Sequence, residues 1–278
     1  MNLPDYATLK TQMAEPHVLV VTLNRPQAAN ALNTQMGLDL LDLWTRLTED
    51  AGDVRCVVLT GAGDRIFCAG GDLKERHGMT REQWVRQHQI FERQYWALTD
   101  LCLPVIAAVN GHAYGGGFET VLSCDFAYAA NTARFALPEV TLGIMPGAGG
   151  TQNLPRAVGE RRAKEIIMTG KPVSAQQACE WGVLNGVCEL PELMPTVLGI
   201  ARTIAGNAPL SVRQIKKSVR FGMQMELKTA YRFEVEAYNH LVETEDRYEG
   251  VLAFNEKRKP VFKGALSGIN LFPSPLMA

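Results

Sequence analysis

Three consecutive glycines, Gly115, Gly116 and Gly117, follow an apolar run at residues 104–109 and lead directly into Phe118 and Glu119. Glycine costs a helix about 1 kcal/mol relative to alanine, so three in a row imply bare backbone brought close to something. The preceding run reads as a buried strand. A helix opening at the glycines presents its first N–H groups unpaired and ready to hold an oxyanion, with Glu119 in its first turn beside them.

A second segment has similar features. Ile66-Phe67-Cys68-Ala69-Gly70-Gly71-Asp72-Leu73-Lys74-Glu75 passes from a short apolar piece through two glycines into a charged, helix-competent stretch. A third, Arg134-Phe135-Ala136-Leu137-Pro138-Glu139, continues to Pro146-Gly147-Ala148-Gly149-Gly150-Thr151-Gln152 and places a second acid twenty positions after Glu119. An acid at a helix start ordinarily serves the macrodipole or a cap. Capping does not require these glycine-rich frames, which makes Glu119 and Glu139 candidate catalytic acids.

At 278 residues and 46% hydrophobic content the chain can bury a full core. Strand and helix signals alternate over its first two thirds. Residues 6–13 and 18–23 read as a hairpin, and residues 55–60 as a β-branched strand. Met36, Leu40, Leu43, Trp44 and Leu47 follow helical spacing behind a candidate cap at Thr34, and Phe91, Tyr95, Leu98 and Cys102 mark another helix. From about residue 160 helices dominate. This argues an α/β fold of repeated strand-helix units with a helical C-terminal portion. The expected division is an α/β core over residues 1–190 and a helical region over 191–278.

Lysine and arginine total 28 against 29 acids, a net charge of -1 that offers no global attraction for nucleic acid. The six cysteines, at 56, 68, 102, 124, 179 and 188, show no Cys-x-x-Cys spacing and read as reduced core thiols of a cytoplasmic protein. No uncharged stretch approaches the length of a membrane span, and the first ten residues lack the features of a signal sequence. There is no Gly-x-Ser-x-Gly elbow, Ser123 sits in an apolar frame, and Gly170-Lys171 runs into Pro172 rather than completing a phosphate loop. Five histidines without paired helical spacing argue against a metal site, and His112 reads as a packed turn residue.

The three glycine-rich frames together resemble the crotonase superfamily of enoyl-CoA hydratases and isomerases. The likeness extends from Leu23-Asn24-Arg25-Pro26 and Asn30-Ala31-Leu32 to Glu256-Lys257-Arg258-Lys259-Pro260-Val261-Phe262-Lys263, nearly the whole chain. It implies a crotonase-like spiral α/β core and helices that assemble trimers or hexamers. The implied activity is hydration of a 2-enoyl-CoA in fatty acid metabolism, with no cofactor because coenzyme A is part of the substrate. By the same resemblance Glu119 activates water, Glu139 supplies the C2 proton, and the N–H groups of Gly71 and Gly116 form an oxyanion hole. Arg25, Ala69, Asp72, Leu73, Lys74, Phe262 and Lys263 fall in segments that hold coenzyme A. Residues 67–76 and 244–250 are similar to methylglutaconyl-CoA hydratases, whereas residues 115–119 and 135–139 resemble carnitinyl-CoA dehydratases. The acyl group, and a choice among hydratase, isomerase and dehydratase, stay open, as does an RNA-binding role. Tyr114 and Phe118 either narrow an acyl tunnel or fill the core.

Overall fold

Apolar runs become strands and amphipathic runs become helices in a computed structural model that describes residues 3–265. The hairpin is present: β1 (Leu9–Glu15) and β2 (Val18–Leu23) are antiparallel, with Leu9 opposite Leu23. α1 (Thr34–Glu49) buries Met36, Leu40, Leu43, Trp44 and Leu47 along one face. Its cap is Asn33 rather than Thr34, because Asn33 is extended and its side chain accepts from Met36 N at 3.0 Å. The Thr34 N–H donates instead to Glu75 at 2.9 Å, a partner distant in sequence.

The chain then repeats one pattern. β3 (Cys56–Gly61) and β4 (Ile66–Cys68) precede α2 (Leu73–Arg76) and α3 (Arg81–Asp100). β5 (Val105–Val109) and β6 (His112–Tyr114) precede α4 (Gly116–Ser123). β7 (Phe126–Ala130) and β8 (Arg134–Ala136) precede a 3-10 turn at Pro138–Leu142, then α5 (Gly150–Val158) and α6 (Glu160–Thr169). β9 (Val173–Ser174), α7 (Ala175–Glu180), β10 (Gly186–Cys188) and α8 (Leu190–Ala205) complete the series. The strands sort into a six-stranded sheet, β1-β2-β3-β5-β7-β10, and a four-stranded sheet, β4-β6-β8-β9. Each of the first three strand-strand-helix repeats thus contributes one strand to each sheet, and these stack in parallel as a spiral, whereas β9 pairs with β8 antiparallel. β3 and β5 are buried along their whole length, as strands with neighbours on both edges and cover on both faces must be.

Two buried amides secure the connections between sheets. Asn110 accepts from Gly61 N at 2.9 Å and donates to Gly63 O at 2.8 Å. Asn30 donates to Ala62 O and Ile66 O and accepts from Arg25 N. Loop groups that would otherwise be buried without partners are satisfied in this way. The thiol expectation needs correction: none of the six cysteines forms a disulfide among the described residues, yet only Cys56 and Cys68 are buried and Cys102 is exposed. A cysteine inside an apolar run can still face outward when its element has one wet face.

By its contacts the chain divides into two units, Met1–Ile204 and Ala205–Ala278; residue 190, where the sequence reading placed the change, begins α8. In the second unit α9 (Pro209–Gly222) and α10 (Leu227–Val242) leave Ile215, Val219, Tyr231, Val235 and Tyr238 exposed. α11 (Glu245–Asn255) holds the following segment through buried Asp246, which accepts from Lys263 N at 2.7 Å and Gly264 N at 2.9 Å. No helix among the described residues is long and apolar enough to cross a membrane.

Gly117 marks the tightest approach at the start of α4, since a Cβ there would lie 2.2 Å from Cys68 O. Gly117→Ala should therefore lower stability by about 1–3 kcal/mol through overpacking. Gly78→Ala, where a Cβ meets nothing within 4 Å, should change it by no more than about 0.5 kcal/mol. Urea denaturation of both variants checks the contrast, and equal midpoints would contradict the packing described.

Candidate active site

The parallel strands β4, β6 and β8 are neighbours, with Ile66 beside His112, Cys68 beside Ala113, Ala113 beside Phe135 and Tyr114 beside Ala136. The segments leaving their C-terminal ends, residues 69–72, 115–119 and 137–139, consequently emerge side by side. Those segments carry Gly71, Gly116 with Glu119, and Glu139. All four residues line one cavity of about 620 Å³, a volume suited to a small organic group.

Two backbone N–H groups are set at its edge. Leu32 forms a parallel bridge with Gly71, donating to Gly70 O at 2.8 Å and accepting from Asp72 N at 2.9 Å. That pairing uses the flanking residues, so the N–H of Gly71 faces away from Leu32. Gly116 opens α4, where the first N–H groups have no partner within the helix. Gly115 makes the turn with φ 51° and ψ -128°, a conformation that L side chains rarely adopt. The buried Tyr95 hydroxyl donates to Gly116 O and lies 3.0 Å from Thr120 Oγ1, fixing the start of the helix.

The two acids share the cavity but not an environment. Glu119 is 3% exposed, and its Oε1 accepts from Ala148 N and Gly150 N, both at 2.8 Å. Burial pushes its carboxyl above the usual range, while the two N–H groups oppose that by favouring the charged form. Glu139 sits in the 3-10 turn, and its buried Oε2 has no hydrogen-bond partner among the described residues. Burial first, and the neighbouring Glu119 charge as well, push it up to about 7, against its own backbone N–H. Glu119 thus has the surroundings of a carboxylate and Glu139 those of a carboxylic acid, in a coupled pair.

Of the other residues singled out in the sequence, Ala69 and Leu73 line the same cavity. Arg25 and Asp72 form a latch beside it: Arg25 Nη2 bonds Asp72 Oδ2 at 3.0 Å, Nη1 donates to Ala31 O, and Asp72 caps α2. Lys74 lines a separate depression with Thr34 and Arg86. In the second unit Lys263 is exposed, 3.8 Å from Glu245, and Phe262 lies next to Gly250. Of the two aromatics beside the glycines, Phe118 fills the core, whereas Tyr114 is half-buried outside it. Phe118 is fully buried against Phe135, Tyr114 stacks on His112, and neither lines the cavity. Sequence reasoning missed Trp84, His88, Glu92 and Arg76, which line the cavity from α2 and α3. Their signal was faint, because polar residues on the wet side of a helix look alike whether or not a cavity lies beyond. Among the described residues no group of three or more His, Cys, Asp or Glu gathers as a metal site.

Residues 14–265 match the enoyl-CoA hydratase/isomerase family. The chain is 45% identical over 248 residues to YngF of Bacillus subtilis, named as an enoyl-CoA hydratase/isomerase, covering 89% of this chain and 95% of that one. It is 44% identical over 249 residues to the short-chain-enoyl-CoA hydratase of Clostridium acetobutylicum, covering 88% and 94%. The crystal structure of an enoyl-CoA hydratase from Bacillus anthracis superposes with a TM-score of 0.90 at 44% identity, covering 92% and 99%. The stacked spiral with its loop-built cavity is the fold of the crotonase superfamily. Within it, the chain belongs to the enoyl-CoA hydratase/isomerase family.

The orphaned carboxyl of Glu139 has a consequence for stability. Its folded pKa of about 7 exceeds the ordinary 4.5, so the folded state holds a proton that the unfolded state releases between those values. Stability therefore falls as pH rises from about 4.5 through 7, and the penalty is complete above 7. Glu139→Gln removes that titration. Its stability relative to the parent should rise between pH 4.5 and pH 8, read from urea midpoints at both pH values, and a flat difference would contradict the assignment.

Proposed function

We propose that this protein is an enoyl-CoA hydratase that adds water across the 2,3 double bond of a 2-enoyl-CoA thioester, coenzyme A arriving as part of the substrate. The observation that carries this reading is a buried and a half-buried glutamate of unlike hydrogen bonding sharing a cavity with Gly71 and Gly116. Hydration needs a base for water, an acid for C2 and stabilisation of charge on the thioester oxygen. Glu119, with Oε1 occupied by Ala148 and Gly150, takes a proton from water at its other oxygen as the water oxygen bonds to C3. The displaced electron pair passes through C2 to the thioester oxygen, held by the Gly71 and Gly116 N–H groups. Collapse of this enolate takes the Glu139 proton onto C2, and the proton gained by Glu119 returns to Glu139 through solvent.

For the coenzyme A portion, Ala69 and Leu73 flank the thioester, Arg25 and Asp72 brace the loop, and Lys74 takes the nucleotide together with Phe262 and Lys263 supplied by a neighbouring subunit. The exposure of Leu73 and Lys263 supports this assignment. A trimer or hexamer, with Lys263 reaching a neighbouring subunit's ligand, accords with the apolar side chains left uncovered on α9 and α10. Six cysteines without a disulfide among the described residues fit a reducing, cytoplasmic setting.

Glu119→Gln and Glu139→Gln should each lower turnover of crotonyl-CoA by about 10²- to 10⁴-fold while largely preserving thioester binding. Gly116→Pro removes the N–H itself and should cost about 10²- to 10³-fold. Wild-type turnover should fall as pH rises through about 7, where Glu139 loses its proton. Near-normal turnover of either glutamine variant on the best substrate would overturn its role. Light scattering should give a multiple of three subunits. Lys263→Ala should weaken coenzyme A by about 10- to 100-fold yet leave the 3'-dephospho form little changed; equal losses for both would refute the contact.

A further inference from the structure

Arg76 is a half-buried cation that pairs with no acid among the described residues. It follows Gly71 by five residues, at the end of the short helix α2, and a Cβ built on Gly71 would lie 3.2 Å from its Cζ and its Nη1. The guanidinium therefore stands beside the thioester-facing N–H of Gly71 and occupies space that a side chain at position 71 would fill. It lines the same cavity as Glu119 and Glu139.

Its orientation is fixed from two directions. The Cζ lies 4.4 Å from the centre of the Trp84 ring and 5.6 Å from that of Phe91, so aromatic surface packs against the guanidinium. Nε donates to Gln87 Oε1 at 2.8 Å. Gln87 is 2% exposed and spends its own N–H groups on Thr34 Oγ1 at 2.9 Å and Glu75 Oε2 at 2.7 Å, which turns its carbonyl toward Arg76. Glu75 therefore reaches Arg76 only through this amide, and its Oε2 also accepts from Thr34 N.

The other charged groups of the cavity leave Arg76 uncompensated. His88 and Glu92 pair with each other at 3.1 Å. Glu119 is committed to Ala148 and Gly150, and Glu139 is the group with an acid's surroundings. Among the described residues, Nη1 and Nη2 of Arg76 meet no hydrogen-bond acceptor, while burial depresses its pKa and Glu75 alone opposes that. A cation taken partly out of water without a carboxylate is costly unless a ligand supplies one. Two free, coplanar donors on an immobilised guanidinium match the two oxygens of a carboxylate.

We propose that Arg76 is a specificity-determining residue that receives a second carboxylate on the acyl group, so that the preferred substrates are coenzyme A monothioesters of α,β-unsaturated dicarboxylic acids. This deepens the hydratase reading and rests on it. The distal carboxylate binds the Nη1 and Nη2 edge while the thioester oxygen reaches Gly71 and Gly116. The substrate is thus tethered at both ends around the double bond, with Glu119 and Glu139 between. Hydration itself proceeds as described, with no change in its balance of atoms.

The test compares the coenzyme A thioester of 2-pentenedioic acid, its distal methyl ester and crotonyl-CoA on the wild type, Arg76→Met and Arg76→Lys. All three carry the same coenzyme A phosphates, so only the acyl carboxylate differs. The wild type should favour the acid over its ester by about 10- to 100-fold in kcat/KM. Arg76→Met should abolish that preference, and Arg76→Lys should restore part of it, since charge returns without the planar fork. No preference in the wild type, which requires no variant to fold, overturns the proposal. So does an equal loss on all three substrates with Arg76→Met, which would assign the guanidinium to a coenzyme A phosphate or to folding. Calorimetric titration with the unreactive glutaryl-CoA and butyryl-CoA separates the two readings. If nothing is hydrated but glutaryl-CoA binds about 10- to 100-fold more tightly than butyryl-CoA through Arg76, the carboxylate site stands and the hydratase reading fails.

Discussion

The lateral pairing of three very short strands, β4, β6 and β8, governs the chemistry of the first unit. Each is three residues long, yet their parallel register delivers residues 69–72, 115–119 and 137–139 to the same edge. A shift of one residue in any pair would turn the next turn by one pleat and separate an N–H from its acid. Close backbone approach protects the register, with Gly117 seated on Cys68 and buried Asn30 and Asn110 tying down the loops that enter these strands. The longer sheet and α1 supply the apolar burial that holds this arrangement in place.

Onto that frame the fold places two glutamates of identical chemistry and gives them different surroundings. Two N–H groups from the glycine-rich segment at 148–150 attend Glu119, whereas Glu139 Oε2 has none. Hydrogen bonding to the charged form and desolvation pull in opposite directions at Glu119 and are less balanced at Glu139. A base and an acid thus coexist a short distance apart without different residue types. Arg76 adds a third kind of surrounding: a cation held by an aromatic ring and an amide, its remaining donors meeting no acceptor among the described residues.

Much of this was legible in the chain. Periodicity located α1, a β-branched run located β3 and an apolar run β5, and the glycine frames with the family resemblance they carry singled out Glu119, Glu139, Gly71 and Gly116 before any spatial relation was visible. The failures share a cause. Thr34 looked like a cap because threonine caps helices, but its groups are engaged by Glu75 and Gln87 from elsewhere in the fold. The cysteines looked internal because their neighbours were apolar, and Cys102 is exposed. Tyr114 and Phe118 were ambiguous because an aromatic beside a glycine turn can fill a core or line a tunnel with equal ease.

The sequence by itself determined which segments would be strand, turn and helix, and which acids stood in frames unlike ordinary caps. Those properties depend on residues within a few positions of one another: side-chain period, helix propensity and the freedom of glycine. Only the tertiary structure decided that Gly71, Gly116, Glu119 and Glu139 line one cavity, that Glu119 accepts two N–H groups while Glu139 Oε2 meets none among the described residues, and that Arg76 lines the same cavity with no ion pair among them. Desolvation and hydrogen-bond partnership are set by whichever residues arrive from other turns of the spiral, and a local pattern carries no record of those arrivals.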